Sequence, residues 1–390
     1  MKKLWSNAIH LLLIAAALGA ARTAHAQTAT PSTPPAGQVV NVQPPGTLKV
    51  SRRRGDKPAD ATIGTEVHRG DVLILAEGAR ASISCPNIPN PLVINKRSQS
   101  YPCTTAAKFK SSKYGPIPSQ RGTDTAESAF PVIILPRATR ILNPRPTLRW
   151  SPVAKTATGG TTTDTVYRVS ILIDGMKPVW SVDGVKNTEM PYPADKPPLV
   201  PGDYLLLVST GEGESDDEQT AGRGFTVLPT CAGRRPRVGR KAPCLEQQVR
   251  DEERRIRNFN LPDDSKRLLV AELYASKGLY AEAIEAMEKV SATVKAPAVK
   301  RRLGDLYTSI GLSREAERFY AEALSIYRTS NDPEAQALTL RSLALTYENL
   351  GVFDQARASY DEAIEVYEKL GDPAAVEELK RLRAKLGGPK

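Results

Sequence analysis

The sequence predicts a multidomain chain: N-terminal all-β modules followed by an all-α solenoid of helical repeats. Three observations predict it. Between about residues 45 and 228, short runs of alternating apolar and polar residues are bounded by Gly, Pro, Asn and Asp, which is the period-two signature of strands. After Leu245 the apolar period changes to 3.6. Within that helical part Tyr274, Tyr307 and Tyr347 lie 33 and then 40 residues apart, and Gly278, Gly311 and Gly351 repeat both intervals.

Residues 1–26 read as a signal peptide. Lys2 and Lys3 precede an apolar stretch around Leu11–Leu18, and Ala24-His25-Ala26 offers a small-x-small cleavage site before Gln27. Cleavage would leave a periplasmic or secreted protein, because no later stretch is long and apolar enough to span a bilayer. The formal charge is +11, of which the leader contributes Lys2, Lys3 and Arg22. Much of the remainder sits in Arg234–Lys241. Export suits the four cysteines, whose order favours the disulfides Cys85–Cys103 and Cys231–Cys244. Residues 27–44, rich in Pro and Thr at their start, read as a disordered linker.

A first β module is expected over residues 45–114. Leu48-Lys49-Val50 alternates, a Gly70-Asp71 turn precedes the apolar run Val72-Leu73-Ile74, and Gly78-Ala79 opens the strand ending at Cys85. The block Gly64–Ile74 followed by a strand of small and apolar residues resembles the FecR-like domain. Control of a sigma factor, as in FecR proteins proper, is not expected, since no cytoplasmic part or membrane span is read in this sequence. Residues 115–130 form a second linker. Residues 131–228 hold seven candidate strands: Val132–Leu135, Thr147–Trp150, Val166–Ile173, Val179–Val182, Thr188–Tyr192, Tyr204–Thr210 and Gly224–Leu228. Their number suggests a sandwich. Leu148-x-Trp150-x-Pro152 and Leu199-x-Pro201-Gly202-x-Tyr204 resemble fibronectin type III or related immunoglobulin-like domains. Trp150 and Tyr204 are expected as core anchors rather than sugar platforms.

Residues 229–260 are read as a basic linker and a charged helix. Residues 261–390 contain three aligned helical hairpins. The first helices carry Tyr274 and Gly278; then Gly304, Tyr307 and Gly311; then Tyr347 and Gly351. The second helices carry Ala283 in the first repeat, Ala316, Tyr320 and Ala323 in the second, and Ala356, Tyr360 and Ala363 in the third. This pattern resembles the tetratricopeptide repeat (TPR). Small residues let paired helices approach, tyrosines fill the gaps, and the turn glycines tolerate positive φ. Asp332-Pro333 and Asp372-Pro373 each read as an N-cap and first helical position. The last helix, Ala374–Leu386, is expected as a solubilising cap.

The TPR resemblance implies a protein or peptide partner bound on the face made by the first helix of each hairpin. In that register Leu268, Glu272, Arg301, Asp305, Thr308, Arg341, Leu345 and Glu348 would line the groove. Arg301, Asp305, Arg341, Leu345 and Glu348 are the candidate partner contacts, with the two arginines outside the core and suited to acidic side chains. No enzyme is expected: no phosphate loop, triad or cofactor motif is present, and His68 is the one histidine left after cleavage. No metal site is expected, the acidic stretch 211–224 fitting no calcium loop. Nucleic acid is not expected. The alternative is an envelope polyanion or glycan binder using the β modules and residues 234–241.

Overall fold

The computed structural model describes residues 37–52, 57–68, 71–85, 90–100, 102–103, 131–153, 165–173, 177–210, 213–214, 224–231, 244–330 and 332–386. The signal-peptide reading, the 115–130 linker and the basic stretch 234–241 lie outside these residues.

The first β module is built from β1 (Gly37–Gln43), β2 (Leu48–Ser51), β3 (Ala59–Asp60), β4 (Glu66–Val67), β5 (Val72–Leu75), β6 (Arg80–Ser84), β7 (Leu92–Ile94) and β8 (Ser98–Ser100). They form two four-stranded sheets, ordered β4-β1-β6-β7 and β3-β2-β5-β8. Val39, Leu48, Leu73 and Ile83 are among the side chains of their shared core. The module therefore begins at Gly37, inside the stretch 27–44 expected to be linker. The reason is local. Val39 and Val42 point into the module, while Val40 packs with Ile256 and Leu269 of the helical part. A strand buried on both faces shows no alternation to read. Cys85 and Cys103 are disulfide-bonded, with Cα atoms 5.4 Å apart.

The second module comprises β9 (Ile133–Leu135), β10 (Thr139–Ile141), β11 (Thr147–Trp150), β12 (Tyr167–Ile173), β13 (Lys177–Val185), β14 (Glu189–Pro191), β15 (Gly202–Thr210), β16 (Gly213–Glu214) and β17 (Phe225–Val227). One sheet runs β10-β17-β15-β12-β13, with β16 paired to β15; the other runs β14-β11-β9. All seven expected strands are present. β10 is added, lying parallel to β17. Trp150 is buried edge-to-face on Tyr167, and Tyr204 stacks on Phe225 with its hydroxyl donating to the Val200 carbonyl. Both rings are core anchors and offer no platform for a sugar.

The helical part comprises α1 (Leu245–Arg257), α2 (Asp263–Ser276), α3 (Tyr280–Thr293), α4 (Pro297–Ser309), α5 (Ser313–Thr329), α6 (Pro333–Leu350), α7 (Phe353–Leu370) and α8 (Pro373–Ala384). The helices α2–α3, α4–α5 and α6–α7 form three hairpins, and α8 closes the array. A Cβ on Gly304 would lie 2.5 Å from the Tyr320 ring, so the close approach of α4 to α5 requires glycine there. Gly351 holds φ +74° where α6 stops, a conformation disfavoured for residues with a Cβ. Asp332 and Asp372 accept the backbone N–H groups of Ala335 and Ala375, each 3.1 Å away, as N-caps ahead of Pro333 and Pro373. Cys231 and Cys244, just ahead of α1, are also disulfide-bonded. Among the described residues no helix is long and apolar enough to cross a membrane.

The second β module and the helices share one buried apolar cluster, which runs from Ile133, Ile141 and Trp150 to Leu268, Met287, Tyr307 and Tyr360. The residues linking them by hydrogen bonds were not legible in the sequence. Thr139 Oγ1 accepts the Tyr280 N–H at 2.9 Å, capping α3 from a position 141 residues earlier. Arg137 is fully buried and donates through Nε to the Ile310 carbonyl at 3.2 Å. Arg149 forms two parallel hydrogen bonds with Glu288, at 2.9 and 3.0 Å.

Candidate functional site

The first helices of the hairpins, α2, α4 and α6, carry the residues that the sequence assigned to a ligand groove. The structure places them as follows. Leu268 is fully buried and lines no groove, because it faces the cluster shared with the second hairpin. Glu272 takes two hydrogen bonds from Arg302, at 2.8 and 2.7 Å, tying α2 to α4. Arg341 pairs with Glu378 at 2.7 Å, tying α6 to α8. Neighbouring first helices are thus laced by arginine–glutamate pairs.

Asp305 accepts the Tyr320 hydroxyl at 2.8 Å and lies 3.6 Å from Arg301. Glu348 accepts the Tyr360 hydroxyl at 2.5 Å. Burial, with the added repulsion of Asp305, raises the Tyr320 phenol well above its ordinary value, so it remains a donor. Thr308 is exposed and its hydroxyl donates to the Gly304 carbonyl. Leu345 is 40% exposed, one of the few large apolar side chains open to solvent among the described residues.

Arg301 differs from its expected place outside the core. Its guanidinium is ion-paired with Glu66 of the first β module, and their side chains are 13% and 14% exposed. Burial by itself would push the Glu66 carboxyl up; the Arg301 and His68 charges outweigh it and hold that carboxyl below its ordinary range. A second bridge lies beside it. Arg52 donates to Asp71 of its own module at 2.6 Å and to Asp332, the N-cap of α6, at 2.5 Å. The His68 N–H also donates to Asp71, at 2.7 Å. Register in the repeat assigned Arg301 to the first-helix face. Nothing local to it named Glu66, which lies 235 residues away.

Among the described residues, one group of three metal-ligating side chains converges: Cys231, Cys244 and Glu246. Both sulfurs are committed to the disulfide, and Glu246 Oε2 accepts the Cys231 N–H at 2.7 Å. These atoms do not make a metal centre.

The hairpin geometry recurs through the array, and a tyrosine hydroxyl bonded to an acid of the preceding helix recurs in its second and third hairpins. Residues 295–369 match the tetratricopeptide repeat family. The stretch covers the second and third TPR hairpins. Solved structures similar to this chain include the following two. BtubC (BKLC) from P. vanneervenii is 21% identical, with 37% of this chain and 76% of that one covered and a TM-score of 0.27. MamA is 20% identical, with 36% and 84% covered and a TM-score of 0.28. No curated protein matches the chain by sequence. The C-terminal region is a helical TPR-like array, a build that suggests a protein-interaction scaffold.

Proposed function

We propose that this chain is an exported, non-catalytic protein-interaction scaffold of the cell envelope. Its TPR-like array would hold a protein or peptide partner, and its two β modules would be accessory. The reading rests on one observation: the TPR-like signature residues are spent on packing the hairpins, while Leu345 stays open on the first-helix face. On the same helix Arg341, paired with Glu378, lies one turn before it and Glu348 one turn after it. An apolar anchor beside an arginine suits a partner segment that brings an apolar side chain with an acidic one next to it, the acid competing for Arg341. The strand order β14-β11-β9 against β10-β17-β15-β12-β13 supports the immunoglobulin-like reading of the second module. The FecR-like reading of the first module rests on its sequence block. Two disulfides support the extracytoplasmic location.

The test compares capture from envelope extract by the parent protein and by Leu345→Asp. A buried carboxylate at the anchor should reduce capture of the specific partner at least tenfold, with unchanged helical circular dichroism. Equal capture by both would remove the first-helix face as the site.

A further inference from the structure

The two β modules meet the helices by different physics. The second shares a continuous apolar core with them. The first meets them through an apolar patch around Val40, through Ile63, which packs against that core, and through two ion pairs, Glu66 to Arg301 and Arg52 to Asp332. Beside these pairs lies a cleft of about 110 Å³, lined by Arg52, Glu66 and Asp332 together with Ala296, Pro297 and Tyr327. An interface with paired ions and a cleft is packed less tightly than a domain core. Yet it is shaped. Gly64, at φ +89°, sits so close to α4 that a Cβ there would be 2.8 Å from Val299 Cγ2 and 3.4 Å from Ala296 Cβ. The turn bearing Glu66 is fitted onto the start of α4. By the repeat register, the cation it reaches is a groove position.

We propose that the first β module is an intramolecular ligand of the TPR-like groove: Glu66 occupies Arg301 where an acidic side chain of a partner would pair, and module and partner compete for that cation. This rests on the groove reading given above and specifies it. The open part of the face, around Leu345, takes the partner first. The closed part, at Arg301, becomes available when the module leaves. A carboxylate is the chemistry selected, because Arg301 already holds one with its guanidinium. Ion pairs suit a releasable contact, since exchanging Glu66 for another carboxylate conserves the pairing while an apolar seal would offer no such exchange.

The experiment uses the full chain in three forms: parent, an opened form (Arg52→Gln with Glu66→Gln), and a locked form (Gly64→Cys with Ala296→Cys, oxidised). Amide hydrogen exchange is followed in α4 and α7, and binding is measured with a fluorescent decaglutamate peptide. Exchange at the start of α4 should be at least tenfold faster in the opened form and unchanged in α7. The peptide should bind the opened form at least tenfold more tightly than the parent. The locked form should bind no better than the parent until the added disulfide is reduced. Should Gly64→Cys not fold, the charge swap Glu66→Arg with Arg301→Glu keeps the contact closed and should exchange like the parent while binding no peptide. Unchanged exchange in the opened form, or equal acceleration in α7, overturns the proposal, because the module is then not separately releasable. Release with equal peptide affinity in all forms overturns the competition. Release with no peptide binding in any form removes the acidic groove itself, and with it the acidic part of the reading on which the proposal rests.

Discussion

Arg301 carries more of the fold than its register implied. Removing it would leave Glu66 buried, with its second oxygen already lacking a hydrogen-bond partner. The coulombic attraction within the pair opposes the cost of desolvating both ions, so deleting one side loses the attraction and keeps the cost. Arg301→Ala should therefore destabilise the chain by about 3–5 kcal/mol. Replacing both members by apolar side chains, Arg301→Met with Glu66→Leu, should come within about 1 kcal/mol of the parent, since neither charge then has to be buried. Urea denaturation of the two variants decides this. A single substitution as mild as the double one would mean that Glu66 reaches water freely.

At the scale of elements, the junction between α3 and the second β module contains a titrating group. Glu282 accepts the Leu142 N–H at 2.7 Å, which favours its charged form, but burial is the larger effect and pushes its carboxyl up to about 7 from an ordinary 4.5. Between those values the folded chain keeps a proton that the unfolded chain has released. The stability from this group is thus complete below about 4.5, declines as pH rises towards 7, and is level above that. Glu282→Gln mimics the protonated carboxyl and removes the titration. Relative to the parent, that variant should gain stability between pH 5 and pH 7.5, as read from urea midpoints at both values; a difference that does not move with pH would contradict the burial. The elements themselves were largely legible. Asp332-Pro333 and Asp372-Pro373 are local signals, and the glycine–tyrosine spacing is local to each hairpin. What the sequence did not reveal depends on distant partners. The cap on α3 comes from Thr139, the acceptor for Arg137 is the Ile310 carbonyl, and Arg301 is met by Glu66. β10 was missed because Thr139-Arg140-Ile141 is a three-residue strand with an arginine at its centre and no alternation long enough to read. β1 was missed because both of its faces are buried.

Across the whole molecule, the boundary that composition placed near residue 229 is not a mechanical boundary. The helices and the second β module share a core, and hydrogen bonds cross between them at Thr139, Arg137, Arg149 and Leu142. A fragment of residues 131–390 retains all of these and the Cys231–Cys244 disulfide, and should unfold in a single cooperative transition. A fragment of residues 245–390 keeps α1 but loses the Thr139 cap on α3, the arginine partner of Glu288 and the apolar cover contributed by β10 and β11. The cap alone is worth about 1 kcal/mol, and the lost apolar burial adds to it. The shorter fragment should melt lower by roughly 10 °C or more and should bind a dye specific for exposed apolar surface. Calorimetry of the two fragments is the measurement. Equal melting temperatures would mean that the helical array is self-sufficient and that the shared core is a contact of convenience. A lower melting point for the shorter fragment alone would make the second β module a structural end of the solenoid. That role would leave the first module, joined to the helices by the Val40 patch, Ile63 and two ion pairs, as the part more readily released.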